Sequence, residues 1–528
     1  MMKQLRWWSA AGFALVATWV VGAATLPARL ADLEAEVARV QREFDVPGVA
    51  IAVVQGGEVV VARGYGLREI GKPERVDEHT LFAIASNTKA FTAALLAQLV
   101  DEGKLKWDDR VVEHLPWFAM SDPYVTREMT IRDLLVHRSG LGLGAGDLLF
   151  WPATTYTTEE VVRRLRFVPL TTSFRSAYAY DNILYAAAGL VIEQVTGQSW
   201  AANVRERIFA PAGMKEARPN CMELKAGDNV ATGHAKFDFK DLRPVPNLAW
   251  DNNSAAGGIY ANVTDLSRWM IAQLAGGKLP AGPDGAERRL FTEARRDEMW
   301  AVVTPLPIRQ PHPAVAELKP NFAGYGLGWG SQDYRGRRIV SHTGGWPGQV
   351  SRTTLVPELN LGIVVLTNQE VGAAFQALTY LIVDAFLDLP PKDWVAAYAE
   401  VLKKGEGDAD AHWQKLLAGR AADSRPSLPL ARYAGTYRDA WYGDVFVRDE
   451  GGKLVVQFSK TAQLLGDVEH WQHDSFIVRW RDRALNADAF LSFALNPDGS
   501  VREARMEAIS PLTDFSFDFH DLRLTPVR

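Results

Sequence analysis

Cysteine is almost absent from this chain: Cys221 stands alone among 528 residues. No intramolecular disulfide can form, and a cysteine zinc site is excluded. A lone cysteine of this kind packs as a small hydrophobe more often than it acts as a nucleophile. Charge of one sign is also scarce, since the net charge is −5 and the pI is near 6.1. That balance offers no basic surface to nucleic acid or to an anionic membrane, so nucleic acid is not expected as a partner. Solenoid-type repeats and long low-complexity segments are missing as well. A targeting signal is present once, where Lys3 and Arg6 precede an uncharged run from Trp7 to Ala24 that ends in Gly22-Ala23-Ala24. This is the pattern of an export leader cleaved after about Ala24, which makes residues 1–24 a signal peptide and the protein periplasmic or secreted. The run of 18 residues also reaches the lower edge of a membrane span, so an uncleaved inner-membrane anchor is the alternative. No cysteine follows it closely, which excludes a lipid-modified N-terminus.

With 47% hydrophobic residues the chain can bury a large core and fill two domains. Leu30, Leu33, Val37, Val40 and Phe44 recur at three- and four-residue steps, the spacing of an amphipathic helix. The period then shortens. Val49 to Val54 and Val59 to Val61 are β-branched runs on either side of Gly56-Gly57, a hairpin signal. Three further strands are expected at Arg338 to Val340, Val350 to Val356 and Leu361 to Thr367, with a closing helix from Ala373 to Leu387. A mainly antiparallel sheet built from both ends of the domain follows, covered by helices. Roughly residues 90 to 320 form a helical insertion, with helices expected at Thr130 to Val136, Glu159 to Phe167, Ile183 to Thr196 and Thr264 to Leu274. Asn262 or Thr264 would cap the last of these.

From Pro390 the composition becomes charged and alanine-rich, and Ser424 to Pro429 reads as a boundary. Beyond it, Gly443 to Val447, Leu454 to Phe458, Phe476 to Trp480, Phe490 to Ala494 and Val501 to Ala508 alternate with turns, the pattern of a small β-barrel or sandwich. The expected division is 28–388 for the first domain, 389–427 for a helical linker and 428–528 for the β domain. The β domain could act as a lid, as a wall beside the substrate or as an assembly surface.

Chemistry concentrates in three places. Ser86-Asn87-Thr88-Lys89 opens an apolar helical run and puts a hydroxyl and an amine on one helix face. Alone it would read as a capped surface helix with a solvated lysine, because short motifs have many false positives. A serine nucleophile needs activation, and Lys89 could supply it if burial or a second cation lowers its pKa. Tyr180-Asp181-Asn182 begins another apolar helix and offers a phenol that can exchange protons and an amide that can bond both a lysine and a substrate carbonyl. His342-Thr343-Gly344-Gly345 follows the strand at Arg338 to Val340, where glycines let a substrate backbone approach.

Together these patches resemble the Ser-x-x-Lys, Tyr-x-Asn and His/Lys-Thr-Gly motifs of the penicillin-recognising serine hydrolases. That family includes class C β-lactamases, D-Ala-D-Ala carboxypeptidases, D-aminopeptidases and related esterases. The resemblance covers about residues 28 to 388 and extends to Asp133 to Leu141, Gly257 to Tyr260 and Tyr325 to Trp329. The portion from Leu430, with Gly435-Thr436-Tyr437, resembles the lipocalin-like β domain often appended to such hydrolases. The implied fold is α+β: a β-lactamase/transpeptidase-like antiparallel sheet flanked by helices with a helical insertion, plus a small C-terminal β-barrel-like domain.

The resemblance also implies roles. Ser86 would attack a carbonyl, with the Ser86 and Gly345 N–H groups as oxyanion hole. Lys89 and Tyr180 would share general-base and proton-shuttle duties, in a division left open. Asn182 would orient the substrate, and His342, Thr343 and Gly344 would help to bind it. His342 stands where much of the family has lysine, which weakens a β-lactamase assignment, since a permanent cation gives way to a group of a type that titrates near pH ~6.5.

Other features read as structural. His137 is expected to bond loop backbone. Tyr260-Ala261-Asn262 is a second Tyr-x-Asn but precedes a capped helix. Glu469-His470-Trp471-Gln472-His473 lies in the β domain, where its histidines would not share a helical face. No metal or cofactor is expected. Ser86 is not in a Gly-x-Ser-x-Gly elbow, which argues against the α/β-hydrolase fold. The sequence therefore reads as an exported serine hydrolase acting on a small-molecule or peptide substrate, peptidase or amidase before esterase and β-lactamase. A non-catalytic penicillin-binding sensor or envelope module is the reading from a different class, and the oligomeric state is open.

Overall fold

The computed structural model describes residues 25–248, 250–282 and 285–527. The leader or anchor expected at residues 1–24 lies outside them. Among the described residues no helix is long and apolar enough to cross a membrane.

The first helix, α1 (Leu33–Glu43), is capped by Asp32, whose side chain accepts from the Ala35 N–H, and buries Leu33, Val37 and Val40. It leads into the expected hairpin, β1 (Gly48–Gln55) and β2 (Glu58–Gly66). Helix α2 (Thr88–Asp101) carries Lys89 and is buried almost all round, so it is a core helix rather than an amphipathic surface one. The insertion supplies α3 (Ile183–Thr196) and α4 (Val263–Leu274). Asn262 caps α4 by accepting from the Asp265 N–H, so the cap is Asn262 and not Thr264. The helix expected over Thr130 to Val136 is only a single 3-10 turn, Asp133–Leu135. Its apolar residues Ile131, Leu134, Leu135 and Val136 are all buried, and the Asp133 carboxylate accepts from the Thr130 N–H at 3.1 Å and from Thr130 Oγ1 at 2.7 Å, closing the segment as a tight turn.

The other strands of the main sheet are β3 (Thr304–Pro305), β4 (Ala323–Tyr325), β5 (Gly330–Tyr334), β6 (Arg337–Trp346), β7 (Gln349–Val356) and β8 (Leu361–Thr367). They form one antiparallel sheet in the order β2-β1-β8-β7-β6-β5-β4-β3. Val49 faces Thr367 and Gln55 faces Leu361, so the two ends of the domain meet as the second and third strands of the sheet, which is built from both ends as the sequence predicts. Alternation sorts the two faces. Val49, Ile51, Val53, Ile339 and Ile363 join a core with α1, with α5 (Gly372–Phe386) and with the start of α6 (Trp394–Ala418). Ala50, Ala52, Val54, Val340 and Val364 join the opposite core with α2, α3 and α4.

The C-terminal portion is an eight-stranded antiparallel sheet of β9 (Gly435–Asp439), β10 (Gly443–Asp449), β11 (Leu454–Phe458), β12 (Leu465–Gln472), β13 (Ser475–Trp480), β14 (Ala489–Leu495), β15 (Val501–Ala508) and β16 (Thr525–Pro526). Its order is β15-β14-β13-β12-β11-β10-β9-β16, and a bridge between Ala504 and Leu524 brings the two ends together into a nearly closed barrel. Strand β12 escapes a period-two search because its apolar residues Leu465, Val468 and Trp471 stand three apart; a bulge between His470 and Gln472 shifts the register at its end. The barrel is not a loose appendage. Arg164 donates to the Trp441 carbonyl at 2.7 Å, the Thr155 N–H to the Lys460 carbonyl at 3.0 Å, and Tyr156 to the Tyr442 carbonyl. Side chains of both portions share one continuous apolar core.

Candidate active site

Ser86 lies in a 3-10 turn, Ala85–Asn87, that runs straight into α2. The turn is laced to β7: Asn87 Nδ2 donates to Ser351 Oγ at 2.7 Å, and Ser351 Oγ donates to the Ile84 carbonyl at 2.7 Å. Ala85, immediately before Ser86, has φ +46°. A left-handed alanine costs about 1 to 2 kcal/mol, a strain that the surrounding bonds must hold in place.

Lys89 is fully buried one turn on. Its Nζ lies 3.0 Å from Ser86 Oγ, 2.7 Å from Asn182 Oδ1 and 3.1 Å from the Ala256 carbonyl. Burial drives its pKa from 10.5 down to about 7, against the opposing pull of Asp147 and Asp181. The neutral amine has two N–H groups and one lone pair. The amide oxygen of Asn182 and the Ala256 carbonyl can only accept, so they take both N–H groups and leave the lone pair for the Ser86 hydroxyl.

Tyr180 and Asn182 come from the corner before α3. Asn182 does not cap the helix, because its side chain is committed elsewhere: Oδ1 to Lys89 and Nδ2 to Asp147 Oδ2 at 2.8 Å. Tyr180 lines the cleft beside Ser86, and burial pushes its pKa well above 10, so the phenol keeps its proton. Lys89 Nζ sits 4.9 Å from the centre of the Tyr180 ring. His137 supports this corner from behind. Its Nδ1 accepts from the Asp181 N–H at 3.2 Å, and its ring stacks at 4.3 Å from that of Tyr180, the backbone-bonding role expected of it.

The third patch corrects the sequence in one respect. His342 to Gly345 does not follow a strand but lies within β6, paired with Thr353 to Val350 of β7. The glycines read as an end to the strand, yet the β7 ladder continues across them. On the other side β5 stops at Gly330 opposite Ser341, so β6 from His342 onward presents an edge that β5 does not cover. Gly344 packs on the nucleophile turn so closely that a Cβ there would lie 2.2 Å from the Ile84 carbonyl oxygen, whereas one at Gly345 would meet nothing within 4 Å. His342 is not the titrating cation that its type suggests. Its Nδ1 donates to the Thr343 carbonyl at 2.6 Å and its Nε2 accepts from Tyr325 Oη at 2.7 Å, which fixes one neutral tautomer. Burial and the nearby Lys89 hold its pKa down to about 3.

These groups open into a cleft of about 350 Å³, lined by Ser86, Tyr180, Asn182, His342, Thr343 and Gly345 together with residues the sequence does not single out. Among the latter are the aromatic rings of Phe150, Trp151, Tyr178, Trp250 and Tyr325, and Asp514-Phe515-Ser516 from the barrel. No arginine or lysine lines it among the described residues. Asp147 stays hidden to sequence inspection because its partner Asn182 is distant in the chain and a Gly-Asp-Leu turn carries no motif.

Comparison with known proteins bears on the family and the fold. The family model described as Beta-lactamase matches residues 33–386, and a domain of unknown function, DUF3471, matches 419–526. The unguisins hydrolase ungD of Aspergillus violaceofuscus is 29% identical over 89% of this chain and 86% of its own length. Penicillin-binding protein 4 of Amycolatopsis lactamdurans is 31% identical over 63% of this chain and 84% of its own. Among solved structures, an octameric penicillin-binding protein homologue from Pyrococcus abyssi superposes with a TM-score of 0.59 at 19% identity, covering 93% of this chain and 98% of that one. The match over residues 33–386, on a sheet and motif set of this form, places the chain in the beta-lactamase family.

Proposed function

We propose that the protein is an exported serine hydrolase that forms an acyl-enzyme at Ser86 and acts on amide or peptide bonds in preference to esters and β-lactams. One observation carries the catalytic reading: among the described residues, the partners of Lys89 Nζ are two carbonyl-type acceptors and the Ser86 hydroxyl, at 3.0 Å, so the hydroxyl is the donor that meets its lone pair. Lys89 is then the general base and takes the Oγ proton as Oγ bonds to the carbonyl carbon. Tyr180, which stays protonated, is the relay: it gives its proton to the leaving nitrogen and is reprotonated from the Lys89 ammonium. The Ser86 and Gly345 N–H groups would hold the oxyanion, each such donor being worth about 3 to 4 kcal/mol of barrier. Water then attacks the acyl-enzyme by the same route.

The preference among substrates rests on His342 and on the cleft walls. A neutral imidazole and a lining without arginine or lysine offer no fixed cation to the carboxylate that penicillins and C-terminal peptides bring. Export rests on the leader-like residues 1–24. The test is labelling by a fluorophosphonate, followed by turnover of a D-amino-acid amide, a p-nitrophenyl ester and a chromogenic cephalosporin. Ser86→Ala should abolish labelling and turnover, with the amide turned over best by the wild type. Equal labelling of Ser86→Ala overturns the mechanism. A burst of acylation without turnover supports a binding module instead.

A further inference from the structure

A line of hydrogen bonds runs from the interior of the barrel to Lys89. At its far end, Asp518 stands just before the 3-10 turn Phe519–Asp521 and is fully buried. Its mount is firm, because the next side chain, Phe519, stacks on Trp480 in the core with ring centroids 5.6 Å apart. From there the carboxylate reaches into the hydrolase portion, where Oδ2 accepts from the Gly146 N–H at 2.6 Å and Oδ1 from the Leu148 N–H at 3.2 Å. These two residues flank Asp147. The 3-10 turn Asp147–Leu149 follows Gly146, whose φ is +84°. The Asp147 N–H bonds the Gly144 carbonyl and the Leu149 N–H bonds the Gly146 carbonyl, so Asp518 takes the two amides that the backbone bonds of this turn leave over.

Held in this way, the turn aims Asp147 at Asn182. Asp147 is fully buried; its Oδ2 accepts from Asn182 Nδ2 at 2.8 Å, and Asn182 Oδ1 accepts from Lys89 Nζ at 2.7 Å. A side-chain amide has a donor end and an acceptor end. With Nδ2 taken by Asp147, the oxygen must face Lys89, and Lys89 keeps its lone pair for Ser86. Turned over, the same amide would donate to that lone pair and quench the base. Asp147 Oδ1 has no hydrogen-bond partner among the described residues, so the aim of the carboxylate comes from its backbone, and that backbone is what Asp518 holds.

We infer that Asp147 and Asp518 are positioning residues for Lys89, so that the barrel, through Asp518, sets the orientation of the Asn182 amide on which the general base depends. This rests on the acyl-enzyme reading above and adds two residues to it. Neither acid lines the cleft, so each acts through another side chain. Lys89 itself is faced by Asp147 and Asp181, by His137 and His342, and by the phenols of Tyr180 and Tyr185. Burial holds both histidines below and both phenols above their ordinary pKa values, so these four stay neutral where Lys89 titrates. Burial and the neighbouring Asp514 raise the Asp147 pKa, but Oδ2 accepts from Asn182 in either protonation state. The Lys89 ammonium needs the Asn182 oxygen as an acceptor and gains from the nearby acids. Removing Asp147 weakens both supports and lets the amine lose its proton at lower pH.

The test is the pH dependence of fluorophosphonate labelling at Ser86 in the full-length protein. Each rate is a time constant normalised to its own endpoint, so a smaller folded fraction lowers the endpoint and not the rate. The wild type should rise through about 7 to a plateau. In Asp147→Ala the amide is free to turn: the plateau should fall about 100-fold, the loss expected of a misplaced group, and the midpoint should move down by about one pH unit. Asp147→Asn should recover most of that plateau, since its carbonyl oxygen can still accept from Asn182 Nδ2. Asp518→Asn, which gives up one of two acceptors, should move plateau and midpoint in the same directions, with the plateau down about tenfold. A lower plateau with an unmoved midpoint in Asp147→Ala, as general loosening gives, overturns the inference, and so does an Asp518→Asn protein indistinguishable from the wild type. Labelling that is absent, that persists in Ser86→Ala, or that is flat with pH in the wild type refutes the acyl-enzyme reading with Lys89 as base and this inference with it. A wild-type profile that rises through about 7 and is unchanged in the variants refutes this inference alone.

Discussion

Replacing Gly344 with alanine should disable the site without touching a single reacting group. The added methyl would lie 2.2 Å from the Ile84 carbonyl oxygen, 2.6 Å from Ser351 Oγ and 3.0 Å from the Ala85 Cβ, all part of the nucleophile turn or its bracing. Ordinary contact begins near 3.4 Å, so β6 and the turn must separate by roughly 1 Å. Forcing extra volume into such a packed contact costs about 1 to 3 kcal/mol of stability. A displacement of that size at a reacting centre costs on the order of 100-fold in rate. The assay pairs urea denaturation with the rate of fluorophosphonate labelling at Ser86. Gly345→Ala is the control, because its Cβ would meet nothing within 4 Å. It should fold with wild-type stability. The reasoning is refuted if Gly344→Ala labels at the wild-type rate with unchanged stability, or if Gly345→Ala is destabilised just as much.

Two further outcomes follow from the same geometry. The labelling rate should rise with pH through about 7 and then level off, because only neutral Lys89 accepts the Ser86 proton; a rate already flat from pH 5 to 9 contradicts Lys89 as the base. In stability the sign is the same: the unfolded lysine titrates near 10.4 and the folded one near 7, so between those values the unfolded chain binds more protons and this group makes folding more favourable as pH rises. Tyr180→Phe should lower amide turnover by about 100-fold or more while slowing a p-nitrophenyl ester far less, since that leaving group needs no proton. Equal losses on both substrates would show that the hydroxyl positions Ser86 and does not relay protons.

Local chemistry was the legible part of this chain. Ser86 and Lys89 sit one helical turn apart, so their meeting follows from helix geometry, and Tyr180 and Asn182 flank a recognisable helix start. The β-branched run at Val49 to Val54 and the strand-like run at Leu361 to Thr367 likewise announce a sheet, and the structure pairs them. What escaped depends on contacts between distant segments. The Gly344-Gly345 pair reads as a break until β7 is laid beside it. His342 looks like a titrating group until Tyr325 and the Thr343 carbonyl fix its tautomer. Asp147 and Asp514 carry no motif: the first is placed by its bond to Asn182, and the second reaches the cleft only through the docking of the barrel. Thr130 to Val136 failed for a plainer reason: Ile131, Leu134 and Leu135 stand at helical spacing, but over so short a window that spacing does not tell a helix from a single turn.

The pairing of β1 with β8 also has a kinetic meaning. Val49 and Thr367 are neighbours in the sheet although more than 300 residues separate them in the chain. Contacts of such long range form late, because the closure entropy must be met before the pairing stabilises anything. The Ser86 turn belongs to the early side of that closure and the β6 strand that braces it to the late side. A partly folded chain can therefore hold a Ser-x-x-Lys helix but not a braced nucleophile. Reactivity at Ser86 should appear together with the completed sheet, which makes the rate at which labelling develops during refolding a direct clock for chain closure.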